Sequence, residues 1–102
     1  MRIIAHRTIL EFISRHPESR DSLQAWYAEA KRAAWTSPQT VTERYPKASL
    51  VGNHRVVFNI CGNQFRLVCA VNYQARILWI KFLGTHQDYD RIDVETYHGN
   101  PT

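Results

Sequence analysis

Glycine is scarce, with four in 102 residues, and none of them builds a Gly-x-Gly-x-x-Gly or Gly-x-x-x-x-Gly-Lys loop. The usual backbone cradles for nucleotide phosphates are therefore excluded. No His-Glu-x-x-His and no Ser-His-Asp set occurs, and no group of carboxylates converges as a metal-dependent nuclease would require. No metal and no cofactor is expected. The two cysteines, Cys61 and Cys69, lack metal-ligand spacing, so both are read as free thiols. No apolar run approaches the roughly 20 residues of a membrane span, and no signal-peptide stretch opens the chain. A cytoplasmic protein without membrane contact is expected. Repeats and low-complexity tracts are missing as well. One domain over residues 1–97 is expected, followed by a flexible tail, 98–102, ending Gly99-Asn100-Pro101-Thr102.

What is present is an ordinary globular composition, 44% hydrophobic and 22% charged, with a net charge of +4. A basic balance favours a polyanionic partner, and where the charge falls decides how much that means. Apolar and β-branched residues alternate through Arg55–Ile60, Gln64–Tyr73 and Arg76–Leu83, the pattern of strands. Gly62-Asn63 and Gln74-Ala75 sit where two hairpin turns belong. Those turns set Asn59 opposite Arg66 and Val57 opposite Val68, then Arg66 opposite Leu83 and Val68 opposite Lys81. One sheet face then carries Val56, Phe58, Ile60, Phe65, Leu67, Cys69, Val71, Leu78, Ile80 and Phe82, which is a core. The other carries Arg55, Asn59, Arg66, Asn72, Trp79 and Lys81, a cationic and partly aromatic surface. A polar knot, Thr85-His86-Gln87-Asp88-Tyr89-Asp90, begins just past the strand end nearest Arg66.

Ahead of the sheet, Arg2–Ala5 reads as a short opening strand. Thr8 is placed as the cap of a helix to about His16, with Ile9, Leu10, Phe12 and Ile13 as its apolar stripe. Pro17 stops it. Ser19 or Asp21 starts a second helix through Ala34, with Leu23, Trp26, Tyr27, Ala30 and Ala34 at helical spacing. Breakers at Ser37-Pro38, Tyr45-Pro46 and Gly52-Asn53 make Trp35–Asn53 a connection with one helical turn at Thr40–Arg44. Residues 89–97 form a helical turn or a last strand. The expected class is α+β: a short N-terminal strand and a two-helix hairpin packed on an antiparallel sheet.

Arg66 is the first candidate for chemistry. An arginine in a middle strand offers a planar fork of donors to a phosphate and keeps its charge as a pentacoordinate phosphorus forms. Lys81 shares its face, although a strand lysine is ordinarily an edge-protecting charge. His86 is the one histidine the register brings near that face, and an imidazole can take or give a proton near neutrality. Tyr89 can stack on a base or donate to a phosphate, or it anchors the last element. Asp88 is assigned to orient His86, with Asp90 as an alternative. Arg55, Asn59, Asn63 and Trp79 are assigned to RNA contact. Asparagine also suits the turn at position 63, because it tolerates positive φ.

The run Val57-Phe58-Asn59-Ile60-Cys61-Gly62-Asn63-Gln64-Phe65-Arg66-Leu67-Val68, with Gly84-Thr85-His86-Gln87-Asp88-Tyr89-Asp90, closely resembles the HigB family of toxins in the RelE/ParE superfamily. Arg2-Ile3-Ile4-Ala5, Ala33-Ala34-Trp35 and the segment 46–51 extend the resemblance to about residue 97. It implies a RelE-like fold and an endoribonuclease that cleaves mRNA, usually on translating ribosomes. It also implies a HigA-type helix-turn-helix antitoxin, and operator DNA bound only through the toxin–antitoxin complex. By position, Arg66 matches the superfamily's basic strand residue, and the His86/Tyr89 knot its C-terminal catalytic segment. Relatives vary in residue type there, so the general base stays open between His86 and a lysine such as Lys81. Two alternatives stay open beside it: a non-catalytic RNA- or ribosome-binding inhibitor, and a gyrase poison of the ParE type.

Overall fold

The structure, a computed structural model, describes residues 1–52 and 54–97. Asn53 of the Gly52-Asn53 break and the expected tail, 98–102, lie outside the described residues. Five strands, β1 (Arg2–Ile4), β2 (Ser49–Val51), β3 (Arg55–Ile60), β4 (Phe65–Asn72) and β5 (Ile77–Thr85), form one sheet in the order β1-β5-β4-β3-β2. The helices are α1 (His6–Arg15), α2 (Arg20–Arg32), α3 (Pro38–Arg44) and α4 (His86–Tyr89). The class is α+β, as expected, but the sheet is mixed: β1 runs parallel to β5 at one edge. Strand β2 pairs antiparallel with β3 at the other edge, within the stretch expected to be only a connection.

Both hairpins form. Across the first, Asn59 faces Arg66 and Val57 faces Val68, and the turn closes through Gln64 N–H donating to the Cys61 carbonyl at 3.2 Å. Positive φ falls at Cys61 and Gly62, not at Asn63. Across the second, the expected register holds from Cys69↔Ile80 to Asn72↔Ile77. Then it slips by one residue at a bulge between Val68 and Cys69. Lys81 is the extra residue. Beyond it Val68 faces Phe82, not Lys81, and Arg66 faces Gly84, not Leu83.

The slip inverts the outer end of β5, because side chains alternate between faces along a strand. Leu83 packs against the core, while Phe82 leaves the core face assigned to it and joins the face of Arg66. The rest of the core face is as expected. Phe58, Phe65, Leu67, Cys69 and Leu78 are buried there beneath Ile9, Phe12 and Ile13 of α1 and Leu23, Trp26 and Ala30 of α2. Full burial raises the Cys69 thiol pKa well above its ordinary value.

Helix α1 starts earlier than expected, with Ala5 at its N-cap instead of Thr8, and Leu10 of its apolar stripe is 49% exposed. A 3₁₀ turn at Pro17–Ser19 leads straight into α2. Helix α3 follows from a capping box, in which Ser37 and Thr40 exchange side-chain and backbone hydrogen bonds, with Pro38 in its first turn. Its end sets Tyr45 edge-on to Phe58 and Trp35. Arg44 pairs with Glu29 of α2.

Candidate active site

The second sheet face is not open along its whole length. Val57 and Val68 are buried on it, because the chain returns across the face after β5. Thr85 ends the strand, and its Oγ1 accepts from Asp88 N–H at 3.2 Å. This side-chain cap starts α4 at once. Tight turns follow, with Arg91 N–H donating to Asp88 O and Tyr97 N–H to Asp93 O. The segment is held down by Arg55, whose Nη1 donates to the carbonyls of Val94 at 3.1 Å and Tyr97 at 2.5 Å. Arg55 is only 7% exposed, so the strand-end arginine assigned to RNA contact is a buried clamp instead. The Tyr97 ring meets Phe82 edge-on at 5.6 Å, and Phe82 meets Tyr89 at 6.3 Å.

At the end of the face nearest α4 stands Arg66. Its Nη1 donates to the Asn63 carbonyl at 3.2 Å, and its guanidinium carbon lies 5.9 Å from the centre of the Tyr89 ring. The β-turn thus holds one side of the guanidinium and the aromatic ring another, while the strand fixes its root. Asn63 takes part through its backbone, with its side chain exposed. Opposite Arg66 the strand needs glycine. A Cβ on Gly84 would come within 2.7 Å of the Phe82 ring and 3.3 Å of Asp88 Cβ.

His86 opens α4 and is exposed. Its Nδ1 lies 3.3 Å from Asp90 Oδ2, an ion pair when the imidazole is protonated. This is the i,i+4 contact that a helical turn provides. The carboxylate beside the imidazole is that of Asp90; Asp88, expected from the sequence to orient His86, turns its backbone N–H to Thr85 and its Cβ toward Gly84. Lys81 sits at the bulge and makes no ion pair among the described residues. Asn59 is half-buried opposite Arg66. Trp79, opposite Ala70, lies toward the other end of the face.

The structure thus groups Arg66, Tyr89 and the Asn63 carbonyl, sets His86 with Asp90 on the adjoining helical turn, and keeps Arg55 and Trp79 apart from them. Gly84, Thr85 and Tyr97 are structural parts that had no role in the sequence, Phe82 had been placed in the core, and Asp90 had stood only as the alternative to Asp88. Two of these had a local signal: Thr85-x-x-Asp88 is a capping pattern, and His86 and Asp90 have helical spacing. The arrangement offers a fixed cation for an oxyanion, an imidazole with a carboxylate on one nitrogen, and an aromatic surface. No three His, Cys, Asp or Glu side chains gather as a metal site among the described residues. None of their helices is long and apolar enough to cross a membrane.

The chain is similar to the mRNA interferase HigB of Escherichia coli O6:H1, 21% identical over 94 residues that cover 90% of this chain and 91% of the relative. It is also similar to the mRNA interferase toxin HigB of Escherichia coli K12 and the mRNA interferase HigB of Shigella flexneri. Each is 23% identical over 93 residues, 88% of either chain. The family model HigB_toxin, described as the RelE-like toxic component of a toxin–antitoxin system, matches residues 19–92. That span contains α2, the four strands β2–β5, Arg66 and all of α4, so the chain belongs to the HigB toxin family.

Proposed function

We propose that this toxin is an mRNA interferase, a metal-independent endoribonuclease that halts translation and growth by cutting mRNA on translating ribosomes. The observation that carries the reading is the Arg66 guanidinium held between the Asn63 carbonyl and the Tyr89 ring, next to the helical turn with His86 and Asp90. The names of its relatives agree with it. A base, His86 or Lys81, removes the proton from a ribose 2′-OH. The 2′-oxygen bonds to phosphorus as the bond from phosphorus to the 5′-oxygen breaks, and an acid returns a proton to that oxygen. The products are a 2′,3′-cyclic phosphate and a 5′-hydroxyl. Arg66 stabilises the charge that builds on the phosphate, Asp90 holds the imidazole, and Tyr89 stacks on a base or steadies Arg66. With so exposed a histidine, the ribosome supplies the bent in-line message, and free RNA is cut slowly. A HigA-type helix-turn-helix antitoxin neutralises the toxin and carries it to operator DNA.

The test is a brief pulse of expression without antitoxin, followed by mapping of message ends. New 5′-hydroxyl ends within codons are expected, and His86→Ala at equal protein level should lose about 10²–10⁴ in cutting rate. Arrested translation with intact message, or a DNA-damage response with intact message, would overturn the reading.

A further inference from the structure

Beyond the ridge that Val94–Tyr97 makes across the second face, the sheet opens again into a pocket of about 500 Å³, within the range of small-ligand sites. Its floor is the half-buried Trp79. Of the two cross-strand partners of Trp79, Ala70 is too small to cover the indole, and Ile4 on the edge strand β1 is itself 36% exposed. Asn72 and Gln74, both exposed, and His54 complete the polar part of the wall. The Asn72 Oδ1 already accepts from Ala75 N–H at 2.9 Å, so what Asn72 still has to offer is its NH₂. Among the described residues no carboxylate lines the pocket. The rim is cationic: Arg2 faces Ile77, whose other partner is Asn72, and Arg76 lies in the adjoining turn. Both arginines are exposed.

An aromatic platform, amide donors at its edge and guanidinium groups around it are the parts with which proteins hold single-stranded nucleic acid. We infer that Trp79 and Asn72 form a base-stacking subsite for single-stranded RNA, separate from the Arg66 site, with Arg2 and Arg76 on the flanking phosphates. The inference rests on the mRNA reading and extends it. Ala70 lies four residues from Arg66 along β4, about 13 Å at the rise of a strand. The bound strand therefore reaches over the Tyr97 ridge to engage both sites, and the nucleotide at Trp79 lies outside the one that reacts. The amide donors of Asn72, unpaired among the described residues, favour a base that presents a carbonyl or ring-nitrogen acceptor.

The indoles make the test direct. Trp26 and Trp35 are buried, at 3% and 5% exposure, so a base stacking on the protein reports through Trp79. The full chain is titrated with a single-stranded RNA hexamer whose 2′-hydroxyls are all methylated, so that it cannot be cut. Emission should be quenched on binding. Trp79→Leu, which keeps apolar bulk, should lose the quench and weaken affinity roughly tenfold to a hundredfold, and Trp79→Phe should recover most of it. Equal affinities for wild type and Trp79→Leu, or no binding of the hexamer at all, would overturn the subsite. If message ends show no cutting in cells while the quench and its loss in Trp79→Leu hold, the subsite stands and the cleavage reading falls.

Discussion

Arg55 and Arg66 leave adjacent strands on the same face, yet one is buried against backbone carbonyls and the other stands where α4 begins. Removing each should give a different failure. Arg66→Ala takes away a transition-state contact of the proposed reaction. Single-turnover cleavage on ribosomes should fall by about 10²–10³ with little loss of binding. Loss of affinity with saturated cleavage intact would make Arg66 a docking residue. Arg55→Met keeps the aliphatic stem and deletes the two charged hydrogen bonds to Val94 and Tyr97, at a cost of about 1–3 kcal/mol. Limited proteolysis should then cut residues 91–97 faster than in wild type. Equal digestion rates would show that packing alone holds the segment. Gly84→Ala acts from below. The added methyl meets a Phe82 ring already wedged between Tyr89 and Tyr97, so a cost of about 1–3 kcal/mol and a lowered melting temperature are expected.

Among the elements, β5 carries the most consequence, because its bulge lets one strand serve two faces out of phase. Residues 77–80 follow one alternation and residues 82–85 the other. The length of the strand matters here more than the side chain at 81. Lys81→Ala should melt near the wild-type temperature. Deleting Lys81 should restore a regular ladder, send Phe82 inward and Leu83 outward, and abolish cooperative melting and near-UV circular dichroism. A deletion variant that folds normally would show the bulge to be dispensable. Cleavage by Lys81→Ala then decides between the two candidate bases: a large loss of rate in a folded protein assigns the proton to Lys81 instead of His86. The bulge is also where the sequence could not be read. Ile80, Lys81, Phe82 and Leu83 suit either alternation, and nothing local marks an inserted residue. By contrast, the β3–β4 register was legible throughout, since Gly62-Asn63 fixes the turn and both strands alternate without interruption. Strand β2 escaped notice for a different reason. Three residues between Pro46 and Gly52 form an edge whose pairing comes entirely from β3.

For the molecule as a whole, ionisation sets an alkaline limit on stability. Burial, followed by the Glu29 carboxylate, pushes Tyr45 up to about 12, with Arg44 opposing; burial also raises Tyr73 and Cys69. The fold favours the neutral form of each, so the unfolded chain gives up these protons first. The Tyr45 contribution is therefore complete below the ordinary tyrosine value of about 10 and lost as pH rises toward 12. Thermal melts between pH 9 and 12 should show a falling midpoint, and Tyr45→Phe should fall less steeply. An identical slope in the variant would remove Tyr45 from the account. At this scale the sequence yields the α+β class, the core face and the neighbourhood of Arg66 with Tyr89, all of which follow from local alternation and turn chemistry. It does not yield the burial of Arg55, because the carbonyls that bury it lie 39 and 42 residues away. That clamp has a further consequence for how such a toxin can change over time. A guanidinium that grips main-chain oxygens reads no side chain, since every residue carries the same carbonyl. The stretch between α4 and Tyr97 is then free to replace its residues but not to gain or lose one, which would bring the wrong carbonyl to Arg55. Lineages of this protein should drift in sequence there while holding its length constant.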